Sequence, residues 1–195
     1  MSSDALVHFK ESEALLEGHF LLTSGLHSDC YLQCAKVLMF PDRAESLSKQ
    51  LAARVETPPD LVVGPAIGGI TFAYEMGRAL GCPALFAERV DGTFAIRRGF
   101  QITPGTKVLV AEDVVTTGGS VKEVITLLRG LGADVTGVAS LVHRAAVSPF
   151  DVPYTSLLQL IPPTWTKDEC PLCKEGGQPE KPGSRARPGE SATTC

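Results

Sequence analysis

Long apolar runs are missing. No stretch of the 195 residues approaches the roughly 20 apolar positions that a membrane helix needs, so no membrane partner is expected. A basic excess is missing too. Lys and Arg number 18 against 22 Asp and Glu, a formal charge of −4. That leaves no basic stripe for a nucleic-acid partner. The opening MSSDALVHFKESEALLEGHF has no basic region followed by an apolar block, so a secretory leader is not expected and the chain reads as cytoplasmic. Six cysteines without an export signal read as reduced thiols, not a disulfide frame. Two phosphate-binding patterns are absent. Without G-x-x-x-x-G-K-[ST] a P-loop nucleotidase is disfavoured, and without G-x-G-x-x-G so is a dinucleotide fold. Among what is present, 19 Gly and 14 Pro stand out. So many glycines suggest backbone that approaches a ligand closely.

The length fits one domain, or one domain plus a tail. Apolar spacing from Asp4 to Leu16 predicts a helix stopped by Gly18. Thr23-Ser24-Gly25 reads as a turn between two short strands. Pro41-Asp42 opens a helix with Asp42 as its N-cap and Leu47, Leu51 and Val55 on one face. From Asp60 a strand, a glycine loop and a helix recur about three times: Leu61–Val63 into GPAIGG and Ile70–Leu80; the strand Ala84–Ala87; Lys107–Ala111 into EDVVTTGGS and Val121–Arg129, stopped by Gly130; then the strand Asp134–Val142. This is the rhythm of a doubly wound α/β sheet, whose ligands sit outside the carboxyl ends of the strands. Between Glu88 and Thr106 the rhythm breaks at Asp91-Gly92 and Pro104-Gly105, as in a β-hairpin or mobile excursion. Beyond Ile161, Pro, Gly and charge dominate, and the last ~15–20 residues read as poorly ordered.

The most informative stretch is Lys107 to Arg129. An apolar strand ends in Glu112 and Asp113, then Val114-Val115, then Thr116-Thr117-Gly118-Gly119-Ser120 and a helix. Unpaired N–H groups at a helix start make an anion site. Glycines let the backbone approach, and the hydroxyls add donors. The paired acids would repel phosphate; they suit sugar hydroxyls, a metal or a developing positive charge. One ligand with a phosphate, a ribose diol and a metal-bound diphosphate would satisfy all of these groups.

VLVAEDVVTTGGS resembles the phosphoribosyl pyrophosphate (PRPP) motif of the type I phosphoribosyltransferases, and the resemblance extends over roughly Glu17 to Phe150. FLLTSGLHS is similar to their N-terminal turn, VVGPAIGGI to their diphosphate-side glycine loop, and FAERVDGTFAIRRGF lies where they carry a catalytic loop. Within them the chain looks most like the branch that uses orotate. The tail motif CPLCKEGGQPEKPGSR is similar to that of a bacterial and archaeal subgroup of the branch. The resemblance implies a central, mostly parallel sheet flanked by helices, with a small N-terminal hood drawn mainly from residues 1–40. The domain would span 1–161, with a Pro/Gly-rich tail over 162–195. It implies that Glu112 and Asp113 take the ribose hydroxyls of PRPP. Thr116, Thr117, Gly118, Gly119 and Ser120 would cradle the 5-phosphate, Val114 and Val115 would also contact PRPP, and the loop Gly64 to Gly69, with Gly68 and Gly69, would wrap the diphosphate. Arg144 would hold the orotate carboxylate, with Thr116 and Tyr31 near the base. It further implies Mg²⁺ as cofactor and a homodimer. The reaction would be orotate plus PRPP to orotidine 5′-monophosphate and diphosphate, carried by positioning and electrostatics without a covalent nucleophile. The rivals are a purine phosphoribosyltransferase and a PRPP-binding regulator without turnover.

Three departures from the family stand out. Thr23 and Gly68 occupy positions where lysine is frequent, and the loop offers Arg89, Arg97 and Arg98 where lysines and a histidine are usual. No single catalytic lysine can be named; these arginines are the candidates for charge at the leaving diphosphate. Outside the motif, Cys170-Pro-Leu-Cys173 has the spacing of half a zinc knuckle. Zinc wants four ligands and only Cys195 follows, so the pair reads as reduced thiols. Cys30, Cys34 and Cys82 read as core. No His pair has i,i+4 spacing; His8 and His19 read as structural or exposed, and His27 lies in the Ser-Gly turn. Trp165 is expected to pin the tail.

Overall fold

The computed structural model describes residues 3–22 and 24–182. Thr23 and most of the stretch expected to be poorly ordered lie outside the described residues. In chain order the elements are α1 (Ser3–Glu11), β1 (Leu15–Leu21), β2 (His27–Leu32), α2 (Cys34–Leu38), α3 (Pro41–Ala52), β3 (Leu61–Pro65), α4 (Gly68–Leu80), β4 (Ala84–Val90), β5 (Thr93–Ala95), β6 (Lys107–Val115), α5 (Gly119–Gly130), β7 (Asp134–His143), β8 (Tyr154–Gln159), β9 (Thr164–Trp165) and α6 (Pro171–Lys174). By contact the chain divides into two units, 1–14 with 34–161, and 15–33 with the segment from 162 onward. This boundary differs from the compositional one. Residues 15–33 leave the first forty, and the segment after 161 joins them.

The larger unit is built on a six-stranded sheet of order β5-β4-β3-β6-β7-β8. All its pairings are parallel except β4 with β5. β3 is buried along its whole length, as expected of a strand covered on both faces. Val121, Val124, Ile125 and Leu128 of α5 pack into a cluster with Leu61, Val63, Val108, Val110 and Val138. Leu47 and Leu51 of α3 and Phe72 and Met76 of α4 are fully buried as well. From β3 the chain steps outward to β4, then returns to place β6 on β3's other side. The strand order therefore reverses between β3 and β6, where an α/β sheet opens its ligand crevice.

Several boundaries move. The first helix ends at Glu11, not Leu16. Glu13, at φ +52°, reverses the chain, and Leu15-Leu16 enter β1. Asp42 is not the cap of α3; Phe40 takes that place, with Pro41 at the first helical position. Gly130 is the last residue of α5, and the left-handed residue beyond it is Gly132, at φ +83°. β6 runs on past Ala111 through the acidic pair to Val115, because β7 continues to pair with it as far as His143. The excursion after β4 is the expected hairpin, turning at Asp91 and Gly92, both at positive φ.

The smaller unit is a three-stranded sheet of order β1-β2-β9. β9 pairs antiparallel with β2, Trp165 opposite His27, and Ser28 Oγ donates to the Pro163 carbonyl at 3.0 Å. Farther on, the amide of Leu21 donates to the Glu180 carbonyl, and that of Glu180 to the His19 carbonyl. The segment after 161 is thus tied to the hairpin by backbone pairing.

Candidate active site

The carboxyl ends of β3 and β6 meet at the strand-order reversal, and each runs into a helix through glycines. After β3 come Ala66 and Ile67, joined by a cis peptide bond, then Gly68 and Gly69 opening α4. After β6 come Thr116, Thr117 and Gly118, then α5 from Gly119. Gly118 caps α5 at φ +74°. A Cβ there would lie 2.7 Å from the Phe150 ring and 2.8 Å from Pro149. Only glycine accepts both the left-handed backbone and that crowding.

The two loops touch through glycines. A Cβ on Gly64 would fall 2.4 Å from the Gly69 carbonyl oxygen and 2.7 Å from the Ala73 Cβ. A Cβ on Gly68 would sit 3.1 Å from Asp113 Oδ1, and one on Gly69 3.2 Å from Glu112 Oε1. The start of α4 therefore lies directly against the acidic pair. A longer side chain at Gly68 would have to turn away from Asp113.

Glu112 Oε1 accepts from the Asp113 amide at 3.1 Å, and Asp113 Oδ1 from the Val114 amide at 2.8 Å. Burial, then the adjacent Asp113 charge and its side-chain hydrogen bond, push the Glu112 carboxyl up to about 9. That shift favours the protonated form of the Glu112 carboxyl. Cys34 Sγ lies 3.8 Å from the Asp113 carbonyl oxygen. Its thiol is driven well above the ordinary range by burial, then by Asp113 and Glu112, with Arg144 opposing them. It is an inert, protonated packing group. Beyond the acids lies a pocket of about 300 Å³, lined by Glu112, the Val114–Val121 loop and Glu123. Thr116, Thr117 and Ser120 are exposed toward solvent there.

Arg144 follows β7, its amide bonded to the Val115 carbonyl at 2.8 Å. His143 beside it is buried, its ring edge-on to Tyr154 at 4.8 Å, with Nε2 unpartnered; burial lowers its pKa. The loop arginines differ sharply. Arg89 is held by both carboxylate oxygens of Glu123 at 2.8 and 3.0 Å and stacks on Phe94. Arg98 pairs with Glu88 at 3.0 Å. Arg97 is exposed and makes no side-chain hydrogen bond or ion pair among the described residues. Tyr31 lies on β2 in the smaller unit, its ring 5.9 Å from Phe20.

A switch-point crevice with a hydroxyl- and glycine-rich helix start beside two carboxylates defines a binder of phosphorylated sugars. The phosphoribosyl transferase domain model matches residues 38–162. An orotate phosphoribosyltransferase of Caldanaerobacter subterraneus is 54% identical over 91% of this chain and 94% of its own. One from Heliobacterium modesticaldum is 52% identical over 95% and 100%. The crystal structure of the Aeropyrum pernix orotate phosphoribosyltransferase superposes with a TM-score of 0.64 at 26% identity, covering 80% of this chain and 93% of that one. The chain belongs to the phosphoribosyltransferase family, and within it to the orotate phosphoribosyltransferases. An adenine phosphoribosyltransferase also superposes, with a TM-score of 0.64 at 18% identity, a likeness of fold alone.

Proposed function

We propose that this pentosyltransferase moves the 5-phosphoribosyl group of PRPP onto N1 of orotate, giving orotidine 5′-monophosphate and diphosphate for pyrimidine synthesis. The observation that carries this is the acidic pair at the switch point, flanked by two glycine-opened helix starts. The identity to orotate enzymes along almost the whole chain supports it.

The 5-phosphate takes the Thr116–Ser120 loop, where exposed Thr116, Thr117 and Ser120 stand at the positive end of α5. Glu112 and Asp113 accept from the ribose 2- and 3-hydroxyls. Gly68 and Gly69 admit the diphosphate because no side chain stands between it and the acids. With both ends held, C1 is displaced along a fixed line. The C1–oxygen bonding pair leaves with diphosphate as N1 closes on the opposite face, and the N1 proton passes to the diphosphate or to solvent. The Asp113 charge lies beside the ribose as it becomes cationic, which lowers the barrier by fixed electrostatics. Of the loop cations, Arg97 is the one free to meet the leaving group. Arg144 is the guanidinium suited to the orotate carboxylate, and it separates this function from a purine acceptor.

Two adjacent side-chain carboxyls, Glu112 and Asp113, fit an oxygen-seeking cation such as Mg²⁺. When bound with PRPP it would screen the diphosphate's charge, while Glu112 and Asp113 steady its surroundings. Exposed Ile67, just ahead of α4, and Tyr74, in its middle, at 86% and 64% accessibility, support a homodimer. Among the described residues no helix is long and apolar enough to cross a membrane. The proposed place of action is the cytoplasm, as the sequence reading expects.

The test mixes the purified protein with PRPP, Mg²⁺ and orotate and follows loss of orotate absorbance. Hypoxanthine, xanthine, adenine and uracil serve as parallel acceptors. Turnover with orotate alone is expected. Turnover only with a purine would discard the role of Arg144, and PRPP binding without any turnover would make the chain a sensor.

A further inference from the structure

The smaller unit contains a cluster that the transfer reaction does not use. His19, His27, Cys170 and Cys173 bring one ligand atom each to within 4.8 Å of one another. His19 Nε2 and His27 Nδ1 are 2.8 Å apart. Cys173 Sγ lies 3.3 Å from His27 Nδ1 and 3.7 Å from His19 Nε2, and Cys170 Sγ lies 3.4 Å from His19 Nε2. We propose that these four residues hold a structural zinc ion.

Two nitrogens and two sulfurs form a tetrahedral zinc set. Bond lengths of about 2.0–2.1 Å to nitrogen and about 2.3 Å to sulfur put neighbouring N and S ligands roughly 3.5 Å apart. The observed nitrogen–sulfur spacings of 3.3, 3.4 and 3.7 Å bracket that value. The two nitrogens, 2.8 Å apart, would separate by roughly half an ångström to reach tetrahedral spacing.

The backbone aims each ligand. Glu17 pairs with Cys30 and Phe20 with Ser28. Gly18 and His19 therefore face Asp29 alone, a bulge that redirects the His19 side chain. His27 begins β2 and is 3% exposed. Cys170 is fully buried just ahead of α6, and Cys173 lies within it. Beyond the ring, a Cβ on Gly177 would come 3.3 Å from His19 Nδ1, so glycine there makes room for the imidazole.

The need for a staple is visible as well. Among the described residues of this unit, the buried apolar side chains are Phe20 and Cys170. A unit of this size with so few buried apolar groups belongs to the class that metals stabilise. Closing the cluster on zinc would tie the hairpin to the segment after 161.

The test uses the full chain expressed without a histidine tag in zinc-supplemented medium. Metal analysis after gel filtration should find about one zinc per chain. A Cys170→Ser/Cys173→Ser variant should lose it. Because that variant risks unfolding, the wild-type protein is also stripped with a chelator and refilled with Co²⁺. Visible ligand-field bands of a four-coordinate thiolate site are expected, bleached by stoichiometric zinc. Chelation should also raise amide exchange in residues 15–33 and 162–182 more than in β3, β6 and β7. Zinc-free protein that takes up no Co²⁺, a Cys170–Cys173 disulfide, or both thiols reacting at once with Ellman's reagent in the native protein would overturn the proposal. A different metal at the same stoichiometry would overturn zinc as the occupant. None of these readouts depends on the transferase activity.

Discussion

Glu112 offers the sharpest check on the electrostatics, through Glu112→Gln. Its carboxyl is raised in the folded protein from 4.5 to about 9, chiefly by burial and then by Asp113. Below its unfolded value both states hold the proton and the group is neutral to stability. Between 4.5 and about 9 the unfolded chain releases the proton while the folded chain keeps it. Stability must then fall as pH rises through that window, at up to about 1.4 kcal/mol per pH unit. The amide of the variant removes the titration and keeps the shape. Urea unfolding of both proteins at each half unit from pH 5 to about 8 measures the difference. The variant should gain on the wild type steadily, by roughly 2–4 kcal/mol across those three units. It should also bind PRPP more weakly, because an amide cannot supply the carboxylate that the proposed ribose contact calls for. Parallel pH profiles for the two proteins would refute a protonated Glu112, and with it the idea that substrate binding must displace a proton.

Three further outcomes are expected. Gly118→Ala meets a left-handed backbone and the Phe150 ring together; it should cost about 1–2 kcal/mol of stability and raise the Kd for PRPP by calorimetry, and unchanged PRPP affinity would place the phosphate elsewhere. Arg97→Ala should lower kcat on the order of 100-fold, with a smaller effect for the carboxylate-paired Arg98→Ala; equal losses in steady-state assays would remove the distinction drawn between them. Arg144→Gln should raise KM for orotate roughly 10- to 100-fold, as loss of a charged hydrogen-bond pair implies, while KM for PRPP stays put; a matched rise in both would make Arg144 a structural residue.

The sheet and its glycine-rich βα loops were legible because buried parallel strands read as plain apolar runs and because glycine marks the βα turns. Leu61–Val63 and the TTGGS stretch both announced themselves in this way. Boundaries that depend on partner strands were not legible. The strand read from sequence as Lys107–Ala111 with the acids at its end, yet pairing with β7 carries β6 on through Glu112 and Asp113 to Val115. Gly130 read as a stop, although one glycine at a helix end costs little and the left-handed turn falls at Gly132. Local sequence also hid which loop arginine is free, since the carboxylate partner of Arg89 comes from α5, 34 residues on. The four-ligand cluster was half visible in Cys170 and Cys173. The missing signal was a pair of histidines flanking one hairpin turn: His27 lies opposite Leu21, and the bulge at His19 brings the two rings together. No rule based on helical spacing could find them.

The smaller unit is assembled from two segments far apart in the chain, and this imposes an order on synthesis. His27 leaves the ribosome 143 residues before Cys170, as their numbers show. At roughly 5–20 residues per second that is a wait of about 7 to 30 s. Meanwhile β3 through β8, contiguous in the chain, can complete their sheet. The hairpin spends the interval as an open edge without β9, and the nascent chain is most exposed to mispairing there. A substitution that slows the closing of this unit would therefore lower the yield of folded protein before it altered anything measurable in the finished molecule.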